Sequence, residues 1–105
     1  MVVNFGAHPT VYTQRGPWDV SRDVPGELCD LLELTFRQPV AYIQGACGDV
    51  NFHREFIAPE RCREPALRLM AAALESLKQA KPMEDPVVAA ASETALLPTR
   101  RWTRE

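Results

Sequence analysis

Short β-prone runs and stretches of helical period take turns along this chain, with prolines between them. Val2-Val3-Asn4-Phe5 is a β-prone run closed by Gly6 and by the His8-Pro9 turn signal. Residues 10–24 are polar and broken by Gly16-Pro17, so they read as a long loop. A helix is predicted to begin at Asp23 as N-cap, with Pro25 in the first turn, where its missing N–H costs nothing. Leu28, Leu31, Leu32, Thr35 and Phe36 follow at three- and four-residue steps and mark its buried face. Arg37 suits the C-terminal end, and Pro39 prevents continuation.

Val40-Ala41-Tyr42-Ile43 then predicts a second strand, ended by Gly45-Ala46-Cys47-Gly48-Asp49. Residues 50–59 have no clear period and read as loop. A second helix is predicted with Pro65 in its first turn and an apolar face of Leu67, Met70, Ala71, Leu74, Leu77 and Ala80. Lys78 and Lys81 favour its C-terminal end, and Pro82 stops it. Residues 86–97, from Val87-Val88-Ala89 to Ala95-Leu96-Leu97, predict a third strand with a polar middle, and residues from Pro98 on form a loose tail.

The order strand, helix, strand, helix, strand predicts an α/β fold with a mostly parallel three-stranded sheet and right-handed crossovers. Such a sheet needs both faces covered, which two helices barely achieve. The expectation is a single partial domain over residues 1–105, part of a larger α/β domain. At 46% hydrophobic and 25% charged residues the composition is globular, not that of a disordered chain. A net charge of −2 argues against a nucleic-acid partner, which calls for a basic surplus. No apolar run approaches the ~20 residues that cross a bilayer, so no transmembrane segment is expected. Met1–Phe5 lacks the basic and apolar regions of a secretory signal, which leaves the cytoplasm as the default compartment. Three cysteines without CxxC spacing (Cys29, Cys47, Cys62) argue against a disulfide framework or a cysteine-based zinc site.

In open α/β sheets, ligands gather at the carboxyl ends of the strands. Two loops leave such ends, Gly6-Ala7-His8-Pro9-Thr10 and Gly45 to Asn51, and parallel strands would bring His8 near Asp49, Asn51 and His53. His8 has two readings: a metal ligand or base, or a histidine that hydrogen-bonds within a turn. Gly45 and Gly48 permit positive φ or close backbone approach. Asp49 can bind a cation, orient a histidine, or simply bond its own backbone. Cys47 with His8 could form a thiolate–imidazole pair, and His8, Asp49 and His53 could form a self-contained metal site. Cys29 reads as core filler. Arg61, Arg63 and Arg68 read as a solvated face, and Arg100-Arg101-Trp102-Arg104 is too short to argue for nucleic acid.

Three segments together resemble part of the catalytic domain of the neutral/alkaline, non-lysosomal ceramidase family. They are Val3-Asn4-Phe5-Gly6-Ala7-His8-Pro9-Thr10, Ser21-Arg22-Asp23-Val24-Pro25-Gly26 and Gln44-Gly45-Ala46-Cys47-Gly48-Asp49-Val50-Asn51. Their order and spacing agree with the family pattern over roughly residues 2–81. The resemblance implies a zinc-dependent amidase acting on N-acyl sphingoid lipids or related amides. In that family two histidines, a glutamate and a tyrosine hold the metal, and His8 matches one histidine. The resemblance places the other histidine upstream of Met1, and the glutamate and tyrosine downstream of Glu105. It places Asp49 and Asn51 in the catalytic loop and Gly45, Ala46, Cys47 and Gly48 around the substrate pocket. Asn51 stands where the classical family loop has a serine, and Phe52 where it has a proline. An asparagine amide can donate to an oxyanion but is no nucleophile. Some relatives resembling this chain also carry asparagine there, and their substrates need not be ceramides.

The expected function is thus that of a partial ceramidase-like amidase, inactive alone, with an incomplete zinc ligand set. A lipid-like amide is its expected substrate, with completion by missing segments, a complementing chain or a homo-oligomer. Members of the family are often exported. The alternative is a small, non-catalytic α/β interaction module that binds a partner through its exposed sheet edge.

Overall fold

The computed structural model describes residues 1–12 and 20–98. The Gly16-Pro17 break and the arginines from Arg100 on lie outside the described residues. The chain is a mixed α/β fold whose elements are β1 (Val2–Phe5), α1 (Asp23–Phe36), β2 (Ala41–Gln44), two 3-10 turns (Arg54–Phe56 and Pro59–Arg61) and α2 (Arg63–Gln79). The two strands pair in parallel, Val2 opposite Ala41 through Phe5 opposite Gln44. The second strand starts one residue later than predicted, because Ala41 N–H is the first to bond back, to Met1 O at 2.9 Å. The Met1 amine also donates to Pro39 O at 2.9 Å.

Helix α1 begins and ends where its pattern predicts, with one change of role. Arg22 occupies the N-cap position, and Asp23 is the first helical residue at φ 52°. At the other end Arg37 takes the left-handed conformation and donates its N–H to Glu33 O at 2.8 Å, which closes the last turn. Val24, Leu28 and Leu32 are fully buried, and Leu31 and Phe36 pack against them. Thr35, expected on the buried face, is exposed and bonds Leu31 O instead.

The second helix turns inward a face that shares Met70 with the one predicted but is shifted toward smaller residues. Its inward positions are Pro65, Ala66, Leu69 and Met70, continuing from Cys62 just before it. Leu67 and Leu77 are about half-exposed and Ala71 is exposed. Small residues decide the contact: Ala66 and Cys62 sit in the core with Val24, Leu28 and Leu32, where a leucine would hold the helices apart. Val11 completes the fully buried set, and Val3 and Tyr42 contribute the inward face of the sheet. The opposite face (Val2, Asn4, Ala41 and Ile43) is exposed, so the helices cover one side only.

The third strand expected over residues 86–97 does not form among the described residues. Residues 80–98 make no strand pairing, and Val87, Val88, Leu96 and Leu97 are 82–96% exposed. The stretch between the two apolar pairs is alanine-rich with a polar centre at Ser92-Glu93-Thr94, a composition with little preference for a pleated, half-buried surface. The three-stranded sheet is therefore two-stranded here. No helix among the described residues is long and apolar enough to cross a membrane.

Core placement has a chemical consequence for Cys62. Burial, with the Asp23 and Glu27 carboxylates adding to it, pushes its thiol from the ordinary value of 9.0 up to about 11. The folded value lies above the unfolded one, so the contribution to stability is complete below about 9 and is lost as pH rises through about 11. At mildly alkaline pH, timed alkylation read by peptide mass spectrometry is expected to label Cys62 last of the three cysteines. Labelling of Cys62 as fast as half-buried Cys47 would contradict this placement.

Candidate functional site

The parallel pairing does what the strand-end argument requires: it brings both loops to one edge of the sheet. Beyond β1 and β2 the backbones stay in contact. Gly45 N–H donates to Phe5 O at 3.0 Å, and the two chains then touch at Gly6 and Gly45. A Cβ on Gly6 would lie 2.5 Å from the Ala46 carbonyl oxygen, and one on Gly45 would lie 3.1 Å from the Gly6 Cα. Close approach, not positive φ, explains these glycines. Gly48 differs, since a Cβ there would meet nothing within 4 Å and its φ is not in the left-handed region.

After the glycine contact, a turn at Cys47–Val50 closes with Val50 N–H donating to Cys47 O at 3.2 Å. Val50 O then accepts the His8 N–H at 2.9 Å, and His8 and Asn51 form a parallel bridge. His8 is half-buried and Asn51 exposed, so the two candidate residues stand side by side at the rim. Asp49 and Gly48 form the exposed corner of the turn, and Ala46 is exposed beside it.

His53 does not join this group. It caps the first 3-10 turn, where its Nδ1 accepts the Glu55 N–H at 3.5 Å and lies 3.4 Å from a Glu55 carboxylate oxygen. Among the described residues no three of His, Cys, Asp and Glu gather where they could hold one metal ion. The self-contained site of His8, Asp49 and His53 is therefore not assembled. His8 supplies one nitrogen donor, and a catalytic zinc needs about three protein ligands.

Side chains of β2 reinforce the edge from below. Tyr42 Oη donates to Phe5 O at 2.9 Å, and Gln44 Nε2 donates to Ala7 O at 3.1 Å. Both lock the backbone that leads into His8. Burial raises the Tyr42 pKa above its ordinary value, which keeps the phenol a donor. Phe5 and Phe52 add a tilted ring contact with centroids 6.4 Å apart. Tyr42 and Gln44 were not singled out from sequence. Their signal is the two-residue alternation of β2, which places both on one side of the strand.

The same two side chains line an open cleft of about 440 Å³ with Pro9, Ser21, Asp23 and Cys29. The cleft thus joins Pro9, the residue after His8, to the Ser21-Arg22-Asp23 entry to α1 and to the end of β2. Cys29, expected as core filler, is half-buried and lines the cleft. Burial, with Glu33 nearby, raises its thiol pKa. Arg22 lies outside the core and pairs with Asp30 at 2.5 Å on the surface of α1. No family model, no curated protein and no solved structure matches the chain.

Proposed function

We propose that this sheet edge is one wall of an amide-hydrolysing site of the neutral-ceramidase kind, with His8 as one metal ligand and Asn51 as a hydrogen-bond donor toward the substrate carbonyl. The observation that supports it is the bridge between His8 and Asn51, which puts a metal-type donor and a neutral amide donor on adjacent backbone positions at the carboxyl ends of two parallel strands. Asp49 stands at the exposed turn beside them as the group that orients a ligand or water. Gly45, Ala46, Cys47 and Gly48 shape the adjoining rim. The remaining zinc ligands come from outside the described residues, so the chain by itself binds zinc weakly and does not turn over an amide. A lipid-like N-acyl amide is the substrate class, and a longer parallel sheet belongs to the same reading.

A second reading is a non-catalytic interaction module that binds a partner through its exposed sheet edge, and the structure offers it one further surface. The groove between β1 and α2, about 440 Å³ and lined mainly by apolar groups such as Val3, Leu69, Ala73 and Leu77, lies away from His8. One experiment separates the two. In NMR correlation spectra of the full chain titrated with zinc, the His8 imidazole and Asn51 side-chain amide signals are expected to move together, weakly, and to stay still in His8→Ala. Shifts centred on His53 and Glu55, or none at all, would remove the amidase reading and leave the interaction module. Tight one-to-one binding lost in His8→Ala would overturn the claim that the ligand set is incomplete.

A further inference from the structure

We infer that Asp23 is the positioning residue of this edge: its carboxylate holds the loop that carries His8. The inference rests on the reading of His8 as the functional side chain. Asp23 is 7% exposed, the one charged residue among the buried positions described. A carboxylate is costly to bury unless donors reach it, and here two backbone N–H groups do. Tyr12 N–H donates to Oδ2 at 2.7 Å, and Val24 N–H donates to Oδ1 at 2.7 Å. The Asp23 N–H in turn donates to Ser21 Oγ at 2.9 Å.

One side chain thus joins the start of α1 to Tyr12, four residues beyond His8 in the segment that begins at Gly6. The near end of that loop is pinned to β2 by Gly45 and Gln44, as described above. Between the two anchors lie His8, whose N–H is spent on Val50 O, and Thr10, whose N–H donates to His8 O at 2.9 Å. Asp23 sits at φ 52°, in the left-handed region that aspartate enters more readily than most residues with a Cβ, still at some cost in backbone energy. That backbone carries the carboxylate back toward Tyr12 in place of the forward N-cap bond that the sequence suggests. A helix-capping role alone would call for neither the Tyr12 bond nor the left-handed backbone.

Asp23→Asn tests this without zinc, by amide hydrogen exchange on the full chain. Asparagine keeps the shape of the side chain but puts an NH2 where one oxygen accepts. Protection of the Tyr12 and His8 amides is expected to fall by about tenfold or more relative to the Leu32 amide, which reports global opening. Ser21→Ala, at an exposed position, is expected to give the same selective pattern with a smaller change. Equal loss at Leu32 and His8 would make Asp23 a support of the whole fold only, and unchanged protection at His8 would show that other contacts hold the loop. Either result overturns the proposal. Because exchange is read without metal, its failure stays separate from a failure of the zinc titration.

Discussion

Leu28→Ala is expected to lower the free energy of unfolding by about 2–5 kcal/mol. Leu28 is fully buried, and only Leu32, Val11 and Val24 match it among the large side chains described. It stands where α1 meets the core residues of α2, and it also borders the groove beside β1. Truncation removes contacts to both helices and to the sheet at once. The chain around it can collapse little, because the neighbouring strand is held by the Met1 and Phe5 backbone bonds. For a small domain with a total stability of order 5–10 kcal/mol, such a loss is a large share. Leu34→Ala is the control: Leu34 is 79% exposed on the other side of the same helix. Its change is expected within about 0.5 kcal/mol. Urea unfolding of both variants decides the matter, with the midpoint falling for Leu28→Ala at an unchanged slope. A loss below that of Leu34→Ala would mean that α1 turns a different face inward.

Gly6→Ala is the second large effect, and it acts on the site as well as on the fold. The added Cβ would stand 2.5 Å from the Ala46 carbonyl oxygen, a backbone atom that cannot rotate away. The two strand-end loops must separate, at a cost of about 1–3 kcal/mol. Their separation also pulls His8 from Asn51, so the His8 amide should lose protection while the helix amides keep theirs. Gly48→Ala provides the contrast from the same motif. It meets nothing nearby, and a less flexible unfolded chain should leave stability unchanged or raised by a few tenths of a kcal/mol. Thermal melts with amide exchange on both variants give the answer. Equal tolerance at Gly6 and Gly48 would refute the backbone contact between the loops.

The contrast between those glycines also shows what the sequence can and cannot disclose. That both loops share an edge was legible, because parallel strands joined by one helix must open on the same side. Which glycine is needed for the approach was not, since it depends on the distance between backbones that only the pairing register sets. Helix α1 was legible from Pro25 and the leucine spacing. The face of α2 was legible only in part: Met70 packs inward as its spacing predicts, while Leu67 and Ala71 turn outward. The actual contact is set by the small Ala66 and Cys62, which let two helices approach. Asp23 was read as a helix cap, and its bond to Tyr12 N–H could not be foreseen from eleven positions away. The third strand failed for a related reason. A run such as Val87-Val88-Ala89 states only a willingness to pair, and nothing in it names an edge to receive it.

The parallel register carries one more consequence, for the order in which this chain folds. Each residue of β1 meets a partner 39 positions further along, as Val2 meets Ala41. Closing such a span costs on the order of 3 kcal/mol in chain entropy before any constant is added. A four-residue ladder alone is a poor return on that closure. Val24, Leu28 and Leu32 supply the remainder, and all three lie on the helix between the strands. That core is shared with Cys62 and Ala66 of the second helix, so closure of the ladder and docking of the two helices are expected to occur together. The edge that carries His8 also needs Gly45, Val50 and Asn51, so it is expected to form only once that ladder has closed.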